Sequence, residues 1–104
     1  QLIMDMLIVD KPVAAICHAP AALCALPESF LAGRTVTALT DDEERELNRD
    51  TNVPFLLEAE LRRRGVRFKN AESFTSFVVQ DGALITGQNM RSAKAAALAL
   101  LDLL

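Results

Sequence analysis

The feature that most constrains the fold is a short apolar run that leads directly into a helix-forming segment. The run, VAAIC at residues 13–17, lacks polar–apolar alternation, which is the pattern of a strand buried on both faces. The segment HAPAALCAL at residues 18–26 is rich in alanine and predicts a helix; Pro20 is tolerated near its start and Pro27 ends it. A strand that turns straight into a helix is typical of a layered α/β fold.

The rest of the chain continues this alternation of strands and helices. The predicted elements are the end of a helix over 1–8, a strand within 33–39, a helix that starts at Thr40 with capping-box spacing to Glu43, a helix over 53–65 stopped by Gly65, a short strand over 66–68, a hairpin within 76–87 that turns at Asp81-Gly82, and a helix over 89–104. The last helix is apolar nearly all round, so we expect it to be covered on more than one side. The class is therefore α/β with a mainly parallel layered sheet.

Composition and charge exclude several classes of function. The formal net charge is −3 and the pI is about 5.0, so there is no electrostatic basis for binding nucleic acid or an anionic membrane. The one basic run, Arg62–Arg64, ends a predicted helix, where the helix dipole favours cations. No apolar stretch reaches the length of a membrane span, and nothing resembles a signal peptide.

The apolar content is high for a chain of 104 residues. Apolar residues make up 51% of it and the mean hydropathy is +0.21, although a small domain exposes a large share of its residues. We therefore expect something outside this chain to cover part of its apolar surface. Cys17 and Cys24 lie about 10 Å apart by helical rise, too far for a disulfide, so reduced thiols and a cytoplasmic location are predicted.

Cys17 and His18, the only histidine, lie at the predicted corner between strand and helix. Such a corner lifts a nucleophile off the sheet, into the crevice at the carboxyl end of the strand. The free N–H groups of the helix that follows are expected to stabilise a thiolate. Ala15 and Ala19 are small enough for the tight turn, so A-x-C-x-A has the pattern of a nucleophile elbow.

Other interpretations of these residues remain open at this point. A cysteine in an apolar run is often a packed core residue, and we assign Cys24 that role. From pattern and composition alone, the interpretations of Cys17 as a core residue and as a nucleophile are equally well supported. One histidine and two cysteines without ligand spacing match no zinc pattern, so no metal site is predicted.

Several segments together resemble the ThiJ/PfpI family. They are AAICHAPAAL, TDDEE, VPFLLEAELRRRG and LITGQNMRSA, and they run over essentially the whole chain in the family's order. The resemblance is greatest to the branch of type 1 glutamine amidotransferase-like proteins, near the glyoxalase and heat-shock chaperone members. It implies a flavodoxin-like α/β sandwich, of which residues 1–104 are one partial domain. On this view the chain is the C-terminal portion, without the N-terminal strands and the glycine-rich loop.

Carried over residue by residue, the resemblance makes Cys17 the nucleophile and His18 the histidine beside it. In the chaperone and glyoxalase branch a carboxylate on the loop after the next strand orients the histidine. Glu44 is the position that aligns with it, and Asp42 and Glu43 are the alternatives. Family members usually have glycine where this chain has Ala19, and a left-handed backbone there would be strained.

The resemblance implies a cysteine-dependent hydrolase or lyase that acts on small reactive carbonyls, glyoxalase III-like or deglycase-like, without a cofactor. The alternatives are a stress-response chaperone or redox sensor with an oxidisable Cys17, a PfpI-like intracellular cysteine peptidase or amidase, and an inactive fragment. A glutamine amidotransferase mechanism is disfavoured because no histidine follows His18. A homo-oligomer, most simply a dimer, is expected.

Overall fold

The fold is described from a computed structural model that covers residues 2–104. Its α-helices are α1 Leu2–Ile8, α2 Glu28–Leu31, α3 Asp41–Glu46, α4 Leu57–Arg63 and α5 Ala93–Asp102. Its strands are β1 Val13–Ile16, β2 Thr35–Val36, β3 Arg67–Phe68, β4 Val78–Asp81 and β5 Leu84–Gly87. Two 3₁₀ helices, Ala19–Ala25 and Met90–Ser92, complete the order. The predicted α/β class is confirmed; Gln1, the first residue of the predicted opening helix, lies outside the described residues.

The strands form two sheets. In the larger one β5 lies between β1 and β4, parallel to β1 and antiparallel to β4, with Ile16 opposite Gly87. The predicted hairpin is present, but Asp81 is the last residue of β4 and the turn residues are Gly82 and Ala83. Gly82 takes the left-handed φ of +61° that such a turn requires. In the smaller sheet β2 and β3 pair in parallel, so two of the three pairings between described strands are parallel. The parallel β1–β5 pair brings two strand ends to the edge where Cys17 lies.

The strand at the corner is less buried than predicted. Ala14 in the middle of β1 is exposed, and the other residues of the strand are only partly buried. The expectation of a strand buried on both faces is therefore wrong for the described residues. The physical reason is that β1 is an edge strand that pairs only with β5, and the neighbouring helices leave the face of Ala14 open.

Two helices depart from their predicted form. Residues 19–25 form a 3₁₀ helix, and α4 begins at Leu57 rather than at residue 53. Leu56 has extended backbone angles, φ −81° and ψ 121°, so the helix cannot continue through it toward Pro54. The predicted end of α4 is confirmed, since Gly65 follows it with a left-handed φ of +91°.

The main core joins α1, the first 3₁₀ helix, α2, β2, α4, β3 and β5. Its buried members are Leu7, Leu23, Leu26, Leu31, Val36, Ala38, Leu57, Leu61, Val66, Phe68 and Leu84. The core therefore ties residues of both sheets to the helices around them.

The last helix is shorter and more exposed than predicted. Asn89 and Ser92 cap the 3₁₀ turn that precedes α5, so the α-helix itself starts at residue 93. Within α5 only Ala96 is buried, whereas Leu98 and Leu101 are 54% and 61% exposed. Cover on more than one side is thus not supplied by the described residues. No helix within residues 2–104 combines the length and apolarity needed to cross a membrane.

Candidate active site

Cys17 lies at the turn between β1 and the first 3₁₀ helix in a strained conformation. Its φ is +61°, in the left-handed region, which costs a residue other than glycine about 1–2 kcal/mol. Two backbone hydrogen bonds hold it there: Cys17 N–H donates to the carbonyl of Gly87 at 2.9 Å, and Leu39 N–H donates to the carbonyl of Cys17 at 2.9 Å. The backbone of Ala19 is not in the left-handed region, so the strain considered for that residue is absent. The strained backbone is that of Cys17.

His18 connects the cysteine to a buried carboxylate. Its Nε2 lies 2.8 Å from Oε2 of Glu44, and its Nδ1 lies 3.9 Å from Sγ of Cys17. An ionised carboxylate only accepts hydrogen bonds, so this contact places the ring proton on Nε2. The lone pair of Nδ1 then faces the thiol. Glu44 is 2% exposed and the His18 side chain 42%, so the ring links a buried charge to the surface.

Of the three candidate acids, the structure brings only Glu44 to His18. Asp42 is 83% exposed on its side chain and pairs with Arg45 at 3.4 Å. Glu43 is fully buried but is bonded elsewhere. Successive helical residues differ by about 100° in direction, so the orientation of α3 selects one carboxylate from the run. The predicted capping box that sets this orientation is confirmed: Thr40 and Glu43 bond each other's backbone N–H groups.

Glu43 is the centre of a polar network that the sequence analysis missed. Its carboxylate accepts hydrogen bonds from the backbone N–H and hydroxyl of Thr40, from the backbone N–H of Phe74 and from the Asn89 side-chain amide. Burial by itself would raise the pKa of Glu43, but these hydrogen bonds outweigh it and the pKa lies below its usual value. The signal was present in the sequence: Gln88 and Asn89 are polar residues placed directly after a buried strand, at the edge that carries Cys17.

The thiol of Cys17 does not ionise easily. Burial raises its pKa above the usual value; the backbone N–H of His18 opposes this, while the charges of Glu43 and Glu44 raise the pKa further. The N–H group at the helix start therefore favours the thiolate, as expected, but the net pKa of the thiol is still raised. The physical reason is that desolvation and two nearby carboxylates outweigh the hydrogen bond from the backbone N–H of His18.

Both thiols are free in the structure, and Cys24 packs against the main core. Among residues 2–104, no three side chains of His, Cys, Asp or Glu are grouped so that they could hold a metal ion.

The chain is similar in sequence and structure to several known proteins. No protein-family model matches it. A fission yeast protein (Schizosaccharomyces pombe) named as a probable glutathione-independent glyoxalase, hsp3104, is 32% identical over 102 residues, covering 86% of this chain and 45% of the relative. One solved protein chain is 38% identical with a TM-score of 0.92, over 97% of this chain and 48% of its own length. The chain thus resembles members of the ThiJ/PfpI family.

Two further solved structures share the fold. The Rapid Encystment Protein of 24 kDa from Francisella tularensis is 30% identical with a TM-score of 0.93, over 97% of this chain and 47% of its own. Glyoxalase III from Candida albicans is 23% identical with a TM-score of 0.86, over 98% and 47%, a likeness of fold alone. The chain thus has the flavodoxin-like architecture expected for it. It spans about half the length of the relatives it matches, and its assignment as one partial, C-terminal domain stays a prediction.

Proposed function

We propose that this protein is a cysteine-dependent enzyme of the ThiJ/PfpI type that acts on small α-oxoaldehydes, with Cys17 as nucleophile and His18 as proton shuttle. One observation carries the proposal: a cysteine in a left-handed elbow lies beside a histidine whose far nitrogen contacts a buried carboxylate. The fission yeast relative, named as a probable glyoxalase, supports the same substrate class. Glu44 would orient the ring and hold its tautomer.

The first step is addition of the thiol to the aldehyde carbon. Because the pKa of Cys17 is raised, Nδ1 of His18 takes the thiol proton as sulfur attacks, rather than finding a thiolate already formed. The S–C bond forms, the C=O π pair moves to oxygen, and the imidazolium returns the proton there to give a hemithioacetal. Glu44 stabilises the imidazolium during this exchange because its Oε2 lies 2.8 Å from Nε2.

The second step moves a proton between the two carbons of the substrate. His18 removes the hydrogen from the former aldehyde carbon and the resulting enediol is reprotonated at the neighbouring carbon, which converts the hemithioacetal into a 2-hydroxy thioester. Water then cleaves the thioester to the 2-hydroxy acid and frees the thiol of Cys17. No net oxidation occurs, so the reaction needs no redox cofactor.

The test is turnover of methylglyoxal by the wild-type protein and two variants. Cys17→Ala should abolish aldehyde loss, because the covalent step needs the sulfur. Cys24→Ala is the matched control, since it removes the other thiol, which packs against the core, and should retain turnover. If Cys17→Ala consumed methylglyoxal at the wild-type rate, the proposal would be contradicted.

The oxidant-sensor alternative is less well supported. Sensor thiols are low in pKa, whereas burial and carboxylate charges raise the pKa of Cys17. We therefore expect mass spectrometry after mild peroxide to find Cys17 no more oxidised than Cys24. Selective gain of oxygen on Cys17 would favour the sensor instead.

Self-association is proposed from the exposed leucines of α5. Leu98 and Leu101 lie three residues apart on one face of the helix and are more than half exposed. Burying such a face against a second copy would remove it from water. Light scattering at micromolar concentration tests this, and a monomer mass would contradict it. The cytoplasmic location stays a prediction.

A further inference from the structure

The carboxylate of Glu43 is fully buried and fully bonded. Its Oε1 accepts from the backbone N–H of Thr40 at 2.9 Å and from the Thr40 hydroxyl at 3.1 Å. Its Oε2 accepts from the backbone N–H of Phe74 at 2.7 Å and from Nδ2 of Asn89 at 2.8 Å. Four donors on three separate segments therefore converge on one ionised group, and hydrogen bonds to a charged acceptor are the strong ones.

Two of these segments are the ones that hold the elbow. Leu39, whose N–H bonds the carbonyl of Cys17, directly precedes Thr40. Gly87, whose carbonyl accepts the N–H of Cys17, lies two residues before Asn89. Glu43 thus joins residues 39–40 to residues 87–89, and the same two stretches of chain also bond the peptide groups of Cys17.

The third segment shows how strongly this carboxylate organises its surroundings. Phe74 is in the left-handed region with φ +60°, an unfavourable state for an aromatic residue that persists only where neighbouring groups enforce it. Its N–H donates to Glu43, and the carbonyl of the next residue, Thr75, accepts from the same Asn89 amide. One bond therefore ties the loop to the carboxylate of Glu43, and the other ties it to Asn89, which also bonds Glu43.

We propose that Glu43 is a positioning residue for the Cys17–His18 pair: its buried carboxylate cross-links residues 39–40 to residues 87–89, which holds Cys17 in its left-handed conformation and keeps the neighbouring Glu44 against His18. The catalytic consequence rests on the proposed function, whereas the geometric role does not. Glu43 makes no hydrogen bond to the thiol or the imidazole, so it positions them through the backbone segments and α3, while its charge separately raises the pKa of Cys17.

The geometric role can be measured without any turnover, because His18 is the only histidine. Its Nε2–H, hydrogen bonded to the buried Glu44, should give one downfield proton resonance in the NMR spectrum of the ¹⁵N-labelled wild-type protein. Glu43→Gln should lose this resonance, since one carboxamide cannot accept from all four donors and its NH₂ must face donors on one side. Asp42→Asn is the matched control: it removes one charge from the same helical turn, but Asp42 is exposed and pairs only with Arg45.

The catalytic consequence is measured as methylglyoxal turnover. Glu43→Gln should lower kcat about 10²-fold with KM little changed, the effect expected for a misplacement of the reacting groups by about 1 Å. Asp42→Asn should keep both the resonance and the wild-type kcat. Alkylation of Cys24 at the wild-type rate shows that Glu43→Gln remains folded. If Glu43→Gln does not fold, Asn89→Ala removes the donor that residues 87–89 give to Glu43, together with the bond to Thr75 and the cap of the 3₁₀ turn, and should show the same losses.

The outcomes separate the two proposals. A folded Glu43→Gln or Asn89→Ala that keeps both the resonance and kcat overturns the positioning role, and so does a wild-type protein without the resonance. A wild-type protein that shows the resonance but does not consume methylglyoxal overturns the proposed function, while loss of the resonance in Glu43→Gln would still support the positioning role.

Discussion

Gly87→Ala tests whether close packing of two strand ends positions the cysteine. Gly87 lies opposite Ile16 in the parallel β1–β5 pair, and its carbonyl accepts the N–H of Cys17 at 2.9 Å. A Cβ at this position would lie 2.6 Å from Cγ2 of Ile16 and 2.9 Å from Cβ of Ser92. Gly87 does not have a left-handed φ, so the whole effect of the methyl group comes from these two contacts.

The size of the effect follows from overpacking. Both contacts are shorter than carbon atoms tolerate, and Ser92 is fully buried and cannot swing away. Inserting a methyl group into packed surroundings costs about 1–3 kcal/mol, so we take ~2 kcal/mol for Gly87→Ala. For a domain of this size ~1 kcal/mol moves Tm by about 4–8 °C, which predicts a fall of about 8–16 °C. Because β5 must move away from Ile16, Cys17 moves too, and kcat should fall about 10²-fold.

The assay is thermal unfolding by circular dichroism together with methylglyoxal turnover. Gly82→Ala is the control, because Gly82 has φ +61° with no atom within 4 Å of the added Cβ. It should lose about 1–2 kcal/mol through backbone strain alone and keep the wild-type kcat of the folded protein. A Gly87→Ala protein with unchanged Tm and unchanged kcat would refute the packing argument.

Three further predictions concern the cap and the charged groups. Thr40→Ala removes the cap of α3 and should destabilise the protein by about 1–2 kcal/mol, measured by urea unfolding. Glu43 has a lowered pKa in the folded state, so its contribution to stability is present above its ordinary pKa and is lost as pH falls through the folded value. Glu43→Gln should therefore flatten the loss of stability at acid pH. Asp41, whose pKa is raised by burial, contributes to this pH dependence in the opposite sense. The pKa values of Cys17 and Cys24 are both raised by burial, so the rate at which iodoacetamide alkylates either thiol should still climb with pH above 9 in the folded protein; a plateau below pH 9 at Cys17 would contradict the carboxylate effect.

Local chemistry explains which parts of the fold could be predicted. The capping box of Thr40 and Glu43, the hairpin signalled by Asp81-Gly82 and the stop at Gly65 each act within about four residues, and all three are confirmed, with the hairpin turn itself at residues 82–83. The predictions for the start of α4 and for the burial of β1 were wrong, because these features depend on the backbone angles of Leu56 and on what covers Ala14. Sequence patterns report such effects only weakly.

The sequence by itself determined the α/β alternation, the elbow at Cys17 and a run of acids at the start of α3. Tertiary structure alone decided which acid meets His18, since Glu43 and Glu44 are neighbours that differ only in direction around a helix whose orientation is set by packing. It also decided the strain at Cys17, which is enforced by Gly87 and Leu39 from distant parts of the chain, and the direction of the thiol pKa. These properties depend on burial and on contacts between residues far apart in sequence, and neither is present until the chain is folded.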